Sequence, residues 1–296
     1  MKKKLRMNPI LKKDLMVGSR SMKMSLTILG INLCLVLMVL FVMVVTNIDI
    51  MYSGYDYSSL MMLFPVLGVT ECILLSIIVP IITSGSISGE RERQTLDVML
   101  TTPVKPFSIA VGKLSSAMAL VMMYIVSAIP ILAIAFVLGG LNWGALFGLI
   151  AMLLYIGIYV GSVGVFCSSV VKKSVAATIL TIAIGLGIVV GTVVIFSIWE
   201  ALIAYRVAQN NLMNDIGNAP LIFLVNPYSP MVDFLLRSMS SVSIYDLVED
   251  SVPSYTGWIY QFWMPISIVL NLLISLGFLK RAANNICVTK NRKKAK

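Results

Sequence analysis

Ionisable side chains are scarce in this sequence, and two groups of them stand where they could do chemistry. Glu71 is the one ionisable residue well inside an apolar run. Further along, Glu90, Arg91, Glu92, Arg93, Thr95, Leu96 and Asp97 make up the only charge-dense segment in the middle of the chain. A carboxylate inside a membrane span can touch a substrate, bind an ion or hold a proton. It must face protein or water, because lipid penalises the charge. The alternative is a polar residue near the outer boundary, bonded to a neighbouring helix through Thr70 or Ser76. A lone carboxylate also makes a poor proton relay.

Enzyme chemistry is not written here. The sequence contains no histidine, which removes the commonest metal ligand and general base. Cys34, Cys72, Cys167 and Cys287 stand apart without C-x-x-C spacing, so neither a zinc site nor a disulfide framework is indicated. There is no G-x-x-x-x-G-K-S/T phosphate loop, no H-E-x-x-H and no pair of intramembrane aspartates. An intramembrane enzyme needs at least one such pair within reach of a bond. The chain reads as a non-enzyme that binds no cofactor or metal of its own.

The charged segment itself has the pattern of a short helix. Gly89 interrupts the preceding apolar run, and Glu90 and Glu92 then fall in a first turn, where the helix dipole favours negative charge. Arg93 and Asp97 are spaced i,i+4, and Leu96, Met99 and Leu100 share one face. Pro103 and Pro106 remove backbone donors and stop it. Such a helix offers charge to water and a few apolar side chains to a partner.

The elements that hold these residues are membrane spans. Mean hydropathy is +0.94, and 58% of residues are hydrophobic against 12% charged; a soluble domain cannot hide that much apolar surface. Runs of roughly 20 apolar residues, the length a bilayer core requires, recur at about 25–46, 60–87, 108–137, 145–167, 174–198 and 258–279. Pro65 and Pro80 are expected to bend the second run and Pro130 the third. Gly157 with Gly161, and Gly187 with Gly191, have the small-xxx-small spacing that lets helices approach closely. Residues 199–257 form the longest non-spanning segment, where short helices packed on the outer face are expected. Asn226-Pro227-Tyr228-Ser229-Pro230 within it is turn chemistry.

Charge sets the orientation. With the N-terminus inside, every Lys and Arg except Arg206 and Arg237 falls in an inner segment, as the positive-inside rule requires. The fold class is therefore an all-α integral membrane protein with six transmembrane helices and both termini cytoplasmic. Residues 1–24 suit an interfacial helix, 88–107 a cytoplasmic loop, and 280–296 a basic tail. The net charge of +10 serves topology and lipid contact, which argues against nucleic acid as a partner.

The string Gly89-Glu90-Arg91-Glu92-Arg93-Gln94-Thr95-Leu96-Asp97-Val98-Met99-Leu100-Thr101-Thr102-Pro103-Val104 resembles the cytoplasmic loop of type-2 permeases of ATP-binding-cassette exporters. The similarity extends to Lys105-Pro106-Phe107, to Gly112-Lys113-Leu114, and to Asn8-Pro9-Ile10-Leu11-Lys12-Lys13-Asp14-Leu15 at the N-terminus. With the span layout it covers nearly the whole chain, but only residues 88–114 are specific. The resemblance implies that Glu90, Arg91, Glu92, Arg93, Thr95, Leu96 and Asp97 belong to a coupling helix that docks on a separate cytosolic ATPase carrying ATP and Mg. It further implies a dimer with a second permease, a copy or a paralogue, in the plasma membrane, with spans two and five meeting across it. Glu71 would be a contact on the pathway. An apolar and aromatic lining suits a hydrophobic or amphipathic cargo such as a peptide, toxin or drug-like compound. A sodium-exporting permease, an ATP-independent transporter or channel, and a structural membrane subunit are the other readings.

Overall fold

Apolar runs of this length become helices because, in lipid, each backbone polar group must find its partner within its own segment. The computed structural model describes residues 21–53, 61–95, 106–138, 143–210, 219–240 and 257–286. The expected interfacial helix, Leu96, Asp97 and the basic tail beyond Ile286 lie outside those residues. In chain order the helices are α1 (Met22–Ser53), α2 (Leu63–Glu92), α3 (Pro106–Leu138), α4 (Trp143–Val170) and α5 (Ser174–Asn210). A 3-10 helix (Ala219–Val225) follows, then α6 (Ser229–Ser240), α7 (Gly257–Gln261) and α8 (Trp263–Ile286). Six of them, α1 to α5 and α8, are long and apolar enough to cross a membrane. That is the number expected from the sequence.

Several boundaries differ from expectation. α2 continues past Ile87 to Glu92, α5 runs on to Asn210, and the last span starts at Trp263 after the separate α7. Pro80 and Pro130 lie inside their helices. Pro65 falls instead in the first turn of α2, where no intrahelical partner is lost.

α4 is the most deeply buried span and the axis of the bundle. Its Leu149, Leu153 and Ile156 pack with Leu67, Leu75 and Val79 of α2 and with Val121 and Ile125 of α3 in one core. α8 turns Ser267, Asn271 and Ser275 inward, all buried. Glycines let α2 and α4 close on each other. A Cβ on Gly164 would collide with the Thr83 side chain, and one on Gly161 would come 2.7 Å from Leu114 Cδ1. Gly164→Val is therefore expected to cost about 1–3 kcal/mol by overpacking, seen as a lower thermal midpoint in detergent. An unchanged midpoint would mean that α4 is not held this tightly against α2. Gly187 and Gly191 behave differently: a Cβ on either meets nothing within 4 Å.

The segment after α5 folds back onto the bundle. Asn226 Oδ1 accepts the Tyr228 N–H at 3.0 Å, fixing the turn, while its Nδ2 donates to Thr192 Oγ1 at 3.0 Å. Ser267 Oγ and Asn271 Nδ2 both donate to the Leu224 carbonyl, at 2.9 and 3.1 Å. Met231 and Leu235 of α6 are buried near Gly68 of α2. Asp233, buried on α6, is held by Arg237 Nε at 3.0 Å.

Candidate functional site

α2 is one helix from Leu63 to Glu92. Glu71 and Glu90 therefore sit on one rod, about 28 Å apart at 1.5 Å per residue. The expectation that Gly89 ends the span, and that Glu90 and Glu92 open a new helix, is not met. A glycine inside a helix costs only about 1 kcal/mol relative to alanine, and local packing outweighs that. Ile87 and Ser88 are fully buried, and their N–H groups both donate to Ser168 Oγ at 2.9 Å.

The helix closes through its backbone. Thr95 N–H bonds the Glu90 carbonyl at 2.9 Å and Gln94 N–H bonds the Arg91 carbonyl at 3.1 Å, the paired bonds of a Schellman ending. Gln94 takes φ 57°, a left-handed conformation that costs a side-chain-bearing residue about 1 kcal/mol.

Acidic residues in a last turn oppose the helix dipole, and here each is compensated by another helix. Glu90 Oε1 accepts from Lys113 Nζ of α3 at 3.3 Å, and its other oxygen accepts from Thr95 Oγ1. Glu92 accepts from the Ser174 N–H at 3.0 Å and from Ser174 Oγ at 2.9 Å. It thus satisfies one of the unpaired donors that open α5 and places a negative charge where that helix favours it. Arg91 Nη2 donates to the Ser169 carbonyl at 3.3 Å, at the end of α4, where a cation is favoured for the same reason. Arg93 is the C-cap and is exposed. Three consecutive charged residues of α2 are bonded to the ends of three other spans.

These bonds differ in strength. The two to Glu92 are exposed, and water and salt screen such contacts so that they contribute little. Lys113 is 6% exposed, so its pair with Glu90 is partly withdrawn from water and matters more.

Glu71 lies on the buried face of α2 at 2% exposure, and its Oε2 has no hydrogen-bond partner among the described residues. Neither hydroxyl considered as its partner serves it. Thr70 Oγ1 donates back to the Val66 carbonyl at 2.7 Å. Ser76 Oγ donates to the Cys72 carbonyl at 2.7 Å and meets the Tyr228 hydroxyl at 2.9 Å. Serine and threonine in helices commonly fold back this way.

Sequence reading missed Lys113, Ser169 and Ser174 as partners of the charged segment. Only Lys113 carries a signal, as a cation at the entry of an apolar run. The two serines come together with α2 only through the packing of α4 and α5.

Comparison with curated proteins found no match. Residues 9–281 match the model of the family described as ABC-2 family transporter protein. That range contains five of the six helices able to cross a membrane and most of the sixth, and it includes both Glu71 and the charged end of α2. The chain belongs to the ABC-2 transporter family, as a membrane-spanning permease of an ABC transporter.

Proposed function

We propose that this multi-pass protein of the cell membrane is the permease subunit of an exporter. It moves a hydrophobic or amphipathic cargo (a peptide, toxin or drug-like compound) outward, using ATP and Mg bound by a separate cytosolic ATPase. Membership of the family implies an ATP-binding partner and, typically, a dimer. The sequence has no phosphate-binding loop of its own. A second permease, identical or paralogous, completes the pathway. Both termini face the cytoplasm, on the strength of the basic inner segments.

The observation that carries this reading is the set of bonds at the end of α2. The ATPase docks on the segment that runs from Glu90 through Arg93 and Thr95 to Leu96 and Asp97. When the nucleotide-bound pair closes, it pushes there. Glu90, Arg91 and Glu92 pass the displacement to α3, α4 and α5 together, and the single helix α2 carries it toward Glu71.

The first test is affinity purification of the full chain from its native membrane in mild detergent. A stoichiometric soluble subunit with a phosphate-binding loop and ATPase activity is expected to co-elute; elution without one would remove the reading. Docking is probed by Glu90→Lys combined with Glu92→Lys, which should insert but lose coupled transport. Because both residues also hold neighbouring spans, Arg93→Glu is the cleaner companion, since it makes no ion pair among the described residues. Unchanged ATPase capture and transport in both variants would take docking away from this segment.

A further inference from the structure

A cavity of about 320 Å³ lies between the end of α2 and the start of α3, and the exporter mechanism makes no use of it. Its volume is at the low end of the roughly 300–1,000 Å³ typical of small-molecule sites. Gly85 and Gly89 border this space, and a Cβ on either would meet nothing within 4 Å.

The lining has two chemically different parts. Ile82, Ala117 and Leu120 are apolar, whereas Arg93, Lys113 and Glu90 bring charge, with Ser86 and Ser116 beside them. Lys113 is buried and holds Glu90 at 3.3 Å, while Arg93 is exposed. Ser86 Oγ is buried and has no hydrogen-bond partner among the described residues. Among the described lining residues, two cations against one carboxylate leave a single net positive charge. This charge sits where the apolar span gives way to its charged end, the level at which basic side chains meet lipid headgroups.

One net positive charge, a hydroxyl in want of a partner and an adjoining apolar wall match a phosphodiester monoanion that carries an acyl chain. We infer that this cavity binds the headgroup of an anionic glycerophospholipid, with its phosphate toward Arg93 and Lys113 and a chain along Ile82, Ala117 and Leu120. A soluble phosphate has no use for the apolar wall. A zwitterionic lipid would bring its own cation next to Arg93.

The test uses the full chain purified without any ATPase, so its outcome is independent of the exporter reading. Native mass spectrometry counts the lipid retained from phosphatidylglycerol or phosphatidylcholine of matched chains, with glycerophosphoglycerol, the same phosphodiester without acyl chains, as the headgroup alone. Phosphatidylglycerol is expected to bind at least tenfold more tightly than either alternative. Arg93→Gln should lose about tenfold in affinity, and Gly85→Leu, which fills the cavity, should lose as much; Gly89→Leu blocks the same space should the first variant misfold. Lys280→Gln, an exposed cation on α8, should change nothing. Equal binding of phosphatidylcholine, or of glycerophosphoglycerol, would overturn the assignment. So would full phosphatidylglycerol affinity in a correctly folded cavity-filled variant, which would put the lipid elsewhere.

Discussion

Lys113→Met is expected to lower the stability of this permease by about 1–3 kcal/mol, between the worth of an exposed ion pair and the cost of removing one partner from a buried one. Methionine keeps the volume of the lysine stem, so the loss measures electrostatics rather than a void. Glu90 would lose the ammonium that neutralises its carboxylate at the entry of α3 and keep its bond from Thr95. Adding Glu90→Gln should then return most of the loss, because an uncharged pair of similar shape has nothing left to solvate. The readout is the unfolding midpoint of the single and double variants in one detergent. If both unfold together with the wild type, the pair is a surface contact and the start of α3 is not anchored to α2 through it. If the double variant is no better than the single, Lys113 acts through packing and its charge is incidental.

Glu71→Gln is expected to move stability and transport in opposite directions. Glu71 is 2% exposed and its Oε2 is unpartnered among the described residues. Burying such a carboxyl is expensive unless something repays it, so the isosteric amide should leave stability unchanged or slightly raise it. Transport should fall at least tenfold, equivalent to about 1.4 kcal/mol in the rate-limiting barrier, if the carboxyl meets the cargo or an accompanying ion. A site retained at a cost to stability for the sake of activity behaves in this way. Assembly with the ATPase, measured by co-purification, should not change. Normal transport with raised stability would make Glu71 a structural residue that the fold tolerates. Loss of assembly would point to a role in holding the bundle.

The architecture was largely legible because lipid imposes a simple code. Each span is a long apolar run, and the six runs are the six helices able to cross a membrane. Family membership was legible in the residues from Gly89 to Val104, whose order of charges and prolines is unlike an arbitrary loop. The internal bonding of that segment was not legible. Glu92 meets Ser174 and Arg91 meets Ser169, pairs 82 and 78 positions apart with no local pattern to join them. The course of α2 through Gly89 was misread for a related reason. Glycine weakens a helix by an amount that the burial of Ile87 and Ser88 beside it readily offsets, and the Ser168 hydroxyl that bonds them comes from α4. Likewise, the hydroxyls beside Glu71 look like its partners until the helix is built and they turn back on their own carbonyls.

The unbroken course of α2 bears on the timing of a turnover. Between Glu71 and Glu92 the helix is continuous, although Pro80 carries no N–H and the N–H groups of Ile87 and Ser88 turn to Ser168 Oγ. A continuous helix moves as a unit, and collective motions of that kind take microseconds to milliseconds. Under the proposed exporter cycle, a push by the ATPase at one end would therefore reach the other on that timescale. On the same reading a slower pause would belong to hydrolysis on the partner subunit or to departure of the cargo, and substitutions along the middle of α2 should leave its duration alone.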